Sequence, residues 1–219
     1  MNGKTVVLFD LDGTLTDPEL GITKSVQYAL KHYGIEIDDL KSLRKCIGPP
    51  LKQSFMEFFG FDEVKAEEAI ERYREYFSKY GIYENDIFDG IRELLEELCH
   101  RGKKVVLATS KPRVFAEEIL KHFGIEKYFS FLSGSEFDGT RGEKGEVIEY
   151  ALSQMGVTDK SSAVLVGDRK FDVIGAIENG ISCIGVLFGY GDREELEEAG
   201  ADEIAEDMEE LRRILLEDI

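Results

Sequence analysis

Four consecutive apolar residues, Val6-Val7-Leu8-Phe9, open a pattern that recurs through the second half of the chain. An apolar run with no polar alternation predicts a strand buried on both faces, as in the interior of a parallel sheet. Comparable runs lie at Lys104–Ala108, Phe129–Ser133, Ala163–Val166 and Ile181–Val186, with a shorter one at Glu203–Ala205. Between them the apolar residues fall at helical spacing. Ile91, Leu94, Leu95 and Leu98 form one stripe, closed by Gly102. A second helix runs from Pro112 to Phe123 and stops at Gly124. A third carries Val147, Ile148, Ala151, Leu152 and Met155 before Gly156, and a last one carries Met208, Leu211 and Leu215. Strands alternating with helices predict a parallel sheet covered on both faces.

The region between the first strand and the second has a different texture. Pro18 to Tyr33 reads as a helix with Asp17 as N-cap, Pro18 at the first position and Gly34 past the end. Its apolar stripe is Ile22, Val26, Ala29, Leu30 and Tyr33. A short helix is expected over Asp38–Lys45, then a stiff Ile47-Gly48-Pro49-Pro50-Leu51 loop, since Gly-Pro-Pro cannot continue a helix. Asp62 opens a long amphipathic helix reaching Tyr80. No strand is expected over residues 17 to 81. The expected architecture is α/β: a Rossmann-like parallel-sheet core, residues 1–16 and 88–219, with an inserted all-helical domain at 17–87.

The first strand ends in Asp10-Leu11-Asp12-Gly13. Side chains two apart on an extended segment point the same way, so both carboxylates leave the carboxyl end of the strand together. Ligands bind at that edge in open α/β sheets. Two carboxylates there repel unless a cation or shared proton intervenes. A turn with Asp and Gly serving only backbone geometry is the plain alternative. A calcium loop fails, because the sixth and twelfth places counted from Asp10 hold Leu15 and Gly21 instead of Gly and Glu. No dinucleotide or P-loop glycine motif follows the strand. Other polar residues fall at the same edge: Thr109 and Ser110 after the second strand, and Asp168 after the fourth with Asp172 one helical turn on. Lys144 opens the helix after the third strand.

Composition narrows the class. The 219 residues are 42% hydrophobic and 33% charged, as in a globular protein. The formal charge is −18, which repels nucleic acid and anionic membrane surfaces. No apolar run approaches the roughly 20 residues of a membrane span, and MNGKT leads straight into the first strand, leaving no room for a signal peptide. The cytosol is therefore the expected compartment, and a monomer or small homo-oligomer the expected state. Cys46, Cys99 and Cys183 are odd in number and form no C-x-x-C pair, so they read as isolated core thiols. His32, His100 and His122 each lie two residues before a helix-ending Gly, where they suit the free carbonyls and the dipole. A histidine nucleophile or base is excluded on this ground.

Taken together, DLDGT at 10–14, VVLAT at 105–109, Lys144 and GDRKFD at 167–172 resemble the haloacid dehalogenase-like hydrolases over nearly the whole chain. The insertion after the first motif is similar to that family's type-one helical cap. IGPPL at 47–51, DGTRGEK at 138–144 and GDRKFD look similar to the phosphoglycolate phosphatase-like members and most of all to a 5′-nucleotidase-like branch. The resemblance implies an Mg²⁺-dependent phosphatase acting on a small phosphorylated metabolite: a nucleoside monophosphate, phosphoglycolate or a sugar phosphate. It implies that Asp10 is the nucleophile and Asp12 the acid and base. Thr109, Ser110 and Lys144 would hold the phosphate, and Asp10, the Asp12 carbonyl, Asp168 and Asp172 the metal. Gly48, Pro49, Pro50 and Lys52 are the expected selectors of the leaving group. Lys24 and Arg44 could meet a distal anion, and Phe55 or Phe58 could stack on a base, though solvated charge and core packing are the plainer readings. Asp12 argues against dehalogenases, which need no leaving-group acid, and against phosphonatases, which have Ala there. Two alternatives stay open: a phosphomutase, and a phospho-accepting regulatory protein.

Overall fold

A computed structural model describes residues 3–216. In chain order, β1 (Val6–Phe9) and the short β2 (Thr16–Asp17) lead into the helices α1 (Glu19–His32), α2 (Leu51–Phe59) and α3 (Glu63–Tyr76). Then follow β3 (Asp86–Ile87), α4 (Ile91–His100), β4 (Lys104–Pro112), α5 (Arg113–His122), β5 (Phe129–Ser135), α6 (Lys144–Gln154) and β6 (Ala163–Gly167). The chain closes with α7 (Lys170–Glu178), β7 (Ser182–Val186), α8 (Arg193–Ala199), β8 (Glu203–Ala205) and α9 (Met208–Leu216). Asp17–Asp86 form one compact unit and the flanking residues another. The short strands β2 and β3 pair with each other, so the expectation of no strand over 17–81 is corrected at Asp17.

In the larger unit six strands lie in the order β5-β4-β1-β6-β7-β8, all parallel. This is the α/β doubly wound arrangement: the chain builds outward from β1 through β4 and β5, then returns to the other side for β6, β7 and β8. Every residue of β1 is buried because it has neighbours on both edges and helices on both faces. Val6, Leu8, Val106, Ala108, Leu165 and Cys183 pack with Val147, Ile148, Ala151, Val173, Ala176 and Leu196 from α6, α7 and α8. The alternate strand positions Val7, Phe9, Val105 and Leu107 are equally buried and point the other way. Ile91, Leu94, Leu95, Leu98, Ala116, Ile119 and Leu120 bury the inner stripes of α4 and α5.

The smaller unit is helical. α1 packs on α3, and α2 on α3, around Ile22, Val26, Leu30, Leu43, Phe55, Phe61, Ala69 and Tyr73. Its ends follow local chemistry. Asp62 caps α3 by accepting the Lys65 amide at 2.9 Å, and Asp17 accepts the Glu19 amide at 3.0 Å. The sequence reading is corrected in three places here. Pro18 is the N-cap of α1 instead of its first residue, the expected helix at 38–45 is a 3₁₀ segment over Leu40–Cys46, and α3 gives way at Phe77–Gly81 to a wider π turn. His32, His100 and His122 are each the last residue of a helix, as their spacing implies. Cys46 and Cys183 are buried, and Cys99 half-buried, as free thiols.

Candidate active site

The sheet register brings three strand ends level. Phe9, last in β1, lies opposite Leu107 of β4 and Val166 of β6, and the Asp10 amide donates to the Val166 carbonyl at 3.0 Å. Asp10, Thr109 and Asp168 therefore leave the sheet at one edge, and all three are buried. α6 starts at Lys144 and α7 carries Asp172 in its first turn, so two helix starts supply the remaining groups.

Asp10, Asp168 and Asp172 each offer a carboxylate oxygen within 4.8 Å of the others. Lys144 stands among them: its ammonium donates to Asp10 Oδ1 at 2.6 Å and to the Ala108 carbonyl at 3.0 Å. It also forms a 2.7 Å ion pair with Asp172 Oδ1 outside hydrogen-bonding angles. An ammonium has three donors, so in this arrangement Lys144 orients Asp10. Asp168 accepts the Tyr190 amide on Oδ2 at 2.8 Å and the Thr14 hydroxyl on Oδ1 at 3.4 Å. Asp172 Oδ2 accepts the Arg169 amide at 3.1 Å.

Two glycines make room for Asp168. Gly13 has a φ of +85°, and a Cβ there would lie 2.1 Å from Asp168 Oδ2. A Cβ on Gly189 would lie 2.4 Å from Asp168 Cβ. The Gly of DLDGT thus serves both the turn and the approach of a carboxylate from another strand.

The trio's electrostatics are unfavourable without a cation. Burial pushes the Asp168 carboxyl well above its ordinary value, and the negative charges of Asp172 and Asp10 push it further. Burial likewise raises Asp172 to about 6, with Lys144 pulling the other way and Asp10 adding to the rise. Burial alone would lower Lys144, but the adjoining carboxylates of Asp10 and Asp172 outweigh it and raise it. With all three carboxyls ionised, one ammonium leaves two negative charges uncompensated. A divalent cation with a taste for oxygen fits this donor set.

The Asp12 carboxyl stands apart from the trio. Its Oδ2 pairs with the Lys111 ammonium, while Oδ1 is buried with no hydrogen-bond partner among the described residues. Burial raises the Asp12 carboxyl, and the Lys111 charge opposes that rise. Repulsion within the Asp10–Asp12 pair is thus relieved by two lysines, one for each carboxylate. Thr109 Oγ1 accepts the Lys111 amide at 3.3 Å, and the Ser110 carbonyl accepts the Ser135 hydroxyl at 2.8 Å.

The remaining expected residues belong to the helical unit. Gly48 has a φ of +100°, Pro50 is the N-cap of α2, and Lys52 pairs with Glu63 at 3.4 Å and Glu67 at 2.9 Å. Lys24 pairs with Glu84 at 2.5 Å and Arg44 with Glu19 at 2.6 Å. Phe55 is buried and stacks on Phe61 at 5.8 Å, in line with core packing. Sequence reasoning passed over Lys111, Tyr190 and Glu195. The last accepts the Arg169 guanidinium at 2.8 and 3.3 Å and the Lys170 amide at 2.8 Å, which steadies the loop between Asp168 and Asp172. Only Lys111 had a visible signal, its place directly after Thr109-Ser110.

Residues 7–186 match the family model described as haloacid dehalogenase-like hydrolase. The chain is 49% identical over 209 residues to a 5′-nucleotidase of Pseudomonas aeruginosa, covering 95% of this chain and 94% of that one. It is 42% identical over 186 residues to tyrosine-protein kinase PtkA of Mycobacterium tuberculosis, covering 85% of this chain but 63% of that protein. Among solved structures, a predicted phosphatase from Clostridium acetobutylicum superposes with a TM-score of 0.95 at 48% identity, over 97% of this chain and 98% of that one.

Proposed function

Because the chain belongs to the haloacid dehalogenase-like hydrolases and is a phosphatase among them, we propose that it hydrolyses small phosphate monoesters, nucleoside 5′-monophosphates first, through a phosphorylated Asp10. The observation that carries the reading is the gathering of Asp10, Asp168, Asp172 and Lys144 at one sheet edge, with Asp12 beside them. Asp10, Asp168 and Asp172, with the main-chain carbonyl of Asp12, would hold Mg²⁺, which when bound neutralises the approaching phosphate and the carboxylates around it.

The chain's own groups supply the rest. Lys144 pairs with Asp10 Oδ1 and fixes its orientation, so that the other oxygen is the nucleophile. The Asp10–phosphorus bond forms as the ester bond to the leaving oxygen breaks, and Asp12 gives that oxygen a proton. The Thr109 hydroxyl and Ser110 amide hold oxygens of the transferring group. Asp12, now a carboxylate, then takes a proton from the water that cleaves the Asp10–phosphate bond. Residues 17–87 are proposed as the cap that chooses the leaving group, through Gly48, Pro49, Pro50 and Lys52. Lys52→Ala is expected to reorder KM across substrates.

Release of phosphate from nucleoside monophosphates, phosphoglycolate, sugar phosphates and p-nitrophenyl phosphate, with Mg²⁺ and with a chelator, tests the proposal. Asp10→Asn is expected to lose turnover by about 10⁴-fold or more while keeping its thermal unfolding transition. Unchanged turnover in that variant defeats it. The kinase relative favours a second reading, transfer to a protein hydroxyl instead of water. ATP with a tyrosine peptide separates the two, since free phosphate without labelled tyrosine supports hydrolysis.

A further inference from the structure

The segment that follows Thr109 departs from regular pairing. β4 is in register with β5 at Thr109↔Gly134 and again at Pro112↔Ser135, so Ser110 and Lys111 occupy two positions of β4 against none of β5. Such irregularities re-aim side chains next to active sites. This one is held firmly: the Lys111 amide donates to Thr109 Oγ1, the Ser110 carbonyl accepts Ser135 Oγ, and a Cβ on Gly134 would come within 2.9 Å of the Lys111 carbonyl. The Lys111 side chain is only 6% exposed, and its ammonium pairs with Asp12 Oδ2.

The other oxygen of the same carboxyl is the informative atom. Asp12 Oδ1 is buried and without a hydrogen-bond partner among the described residues. A buried acceptor left unpaired is costly, and a partner is expected to arrive during function. A carboxyl free to rotate would offer either oxygen; with Oδ2 pinned, only Oδ1 is offered. We propose that Lys111 is the positioning residue that assigns proton handling to Oδ1 of Asp12. This rests on the reading of Asp12 as the group that protonates the leaving oxygen.

In the step concerned, Oδ1–H of Asp12 gives its proton to the leaving oxygen as that oxygen's bond to phosphorus breaks and the Asp10 oxygen's bond to phosphorus forms. A phenolate leaves without help, whereas an alkoxide needs the proton. Losing the clamp should therefore penalise alkyl esters selectively.

The test compares kcat/KM for p-nitrophenyl phosphate and for a nucleoside 5′-monophosphate, since kcat/KM reports the step that expels the alcohol. Lys111→Met and Lys111→Gln are expected to raise the aryl-to-alkyl ratio by about 10-fold or more, and Lys111→Arg to keep it nearer the parent value. In an Asp12→Asn background, Lys111→Met should leave the ratio unaltered, because the two residues act as one unit. If Lys111→Gln folds normally and lowers both substrates in equal proportion, Lys111 is a phosphate ligand or a packing residue and the inference is overturned. If Asp12→Asn alone leaves the ratio where it was, the reading of Asp12 has failed, and that outcome is read from a different variant.

Discussion

Asp172 links protonation to stability, and through the proposed Mg²⁺ site to metal binding. Its folded value of about 6 lies above the ordinary 3.8, because burial opposes its charge. A carboxyl raised in this way binds its proton more tightly in the folded state. It favours the fold below its unfolded value, and the benefit is lost as pH rises through the folded value. The window for Asp172 runs from 3.8 to about 6, and Asp168 is displaced in the same direction. Metal-free protein is therefore expected to lose stability across that window. Mg²⁺, bound as proposed by the ionised carboxylates, should raise Tm clearly at about pH 7.5 and little at about pH 5. Differential scanning fluorimetry with and without Mg²⁺ at both values checks this; an equal shift at both would contradict it.

Among elements, α8 has the clearest influence on the site without contributing a group to it. Glu195 in its first turn holds both the Arg169 guanidinium and the Lys170 amide, and so fixes the path between Asp168 and Asp172. Glu195→Ala is expected to cost about 1–3 kcal/mol in thermal or urea unfolding. It should also weaken Mg²⁺ affinity by about 10-fold or more, read by titrating activity against metal.

α8 also marks where the sequence became unreadable. Arg193–Ala199 carries four glutamates, with Leu196 as its one fully buried apolar residue, so its periodicity carries no stripe. α2 was hidden in the same way behind Pro49-Pro50, its Phe residues giving aromatic weight without clear phase. β1, β4, β6 and β7 were legible because burial on both faces leaves an apolar run in each, and Asp10 and Asp168 because each follows such a run. The partners of Lys111 and Tyr190 were not. An ammonium that meets a carboxylate 99 positions away, or an amide that meets one 22 positions away, depends on strand order, which local pattern does not encode. The Asp12–Lys111 pair followed from the irregularity at Ser110-Lys111, which no composition rule announces.

Across the whole molecule, 45 acidic residues face 27 basic ones. Many surface pairs already use the available cations, as with Arg193–Glu206 and Lys121–Glu117, and what remains is self-repulsion. Moderate salt should therefore stabilise the protein by about 1 kcal/mol, a rise of about 2–4 °C in Tm between low and physiological ionic strength. Thermal melts across an NaCl series measure it, and a falling Tm would show that surface ion pairs outweigh the net repulsion. No helix among the described residues is long and apolar enough to cross a membrane.

The three thiols have a consequence for chemistry under stress. Burial raises the Cys46 thiol to about 11 and that of Cys183 well above its ordinary value, and neither belongs to the trio of carboxylates or its lysine. Peroxide and alkylating agents attack thiolates, and the proposed centre, whose nucleophile would be the Asp10 carboxylate, gives them no foothold. Phosphate transfer by the proposed route would continue under oxidising conditions, where an enzyme that attacks through sulfur would stall.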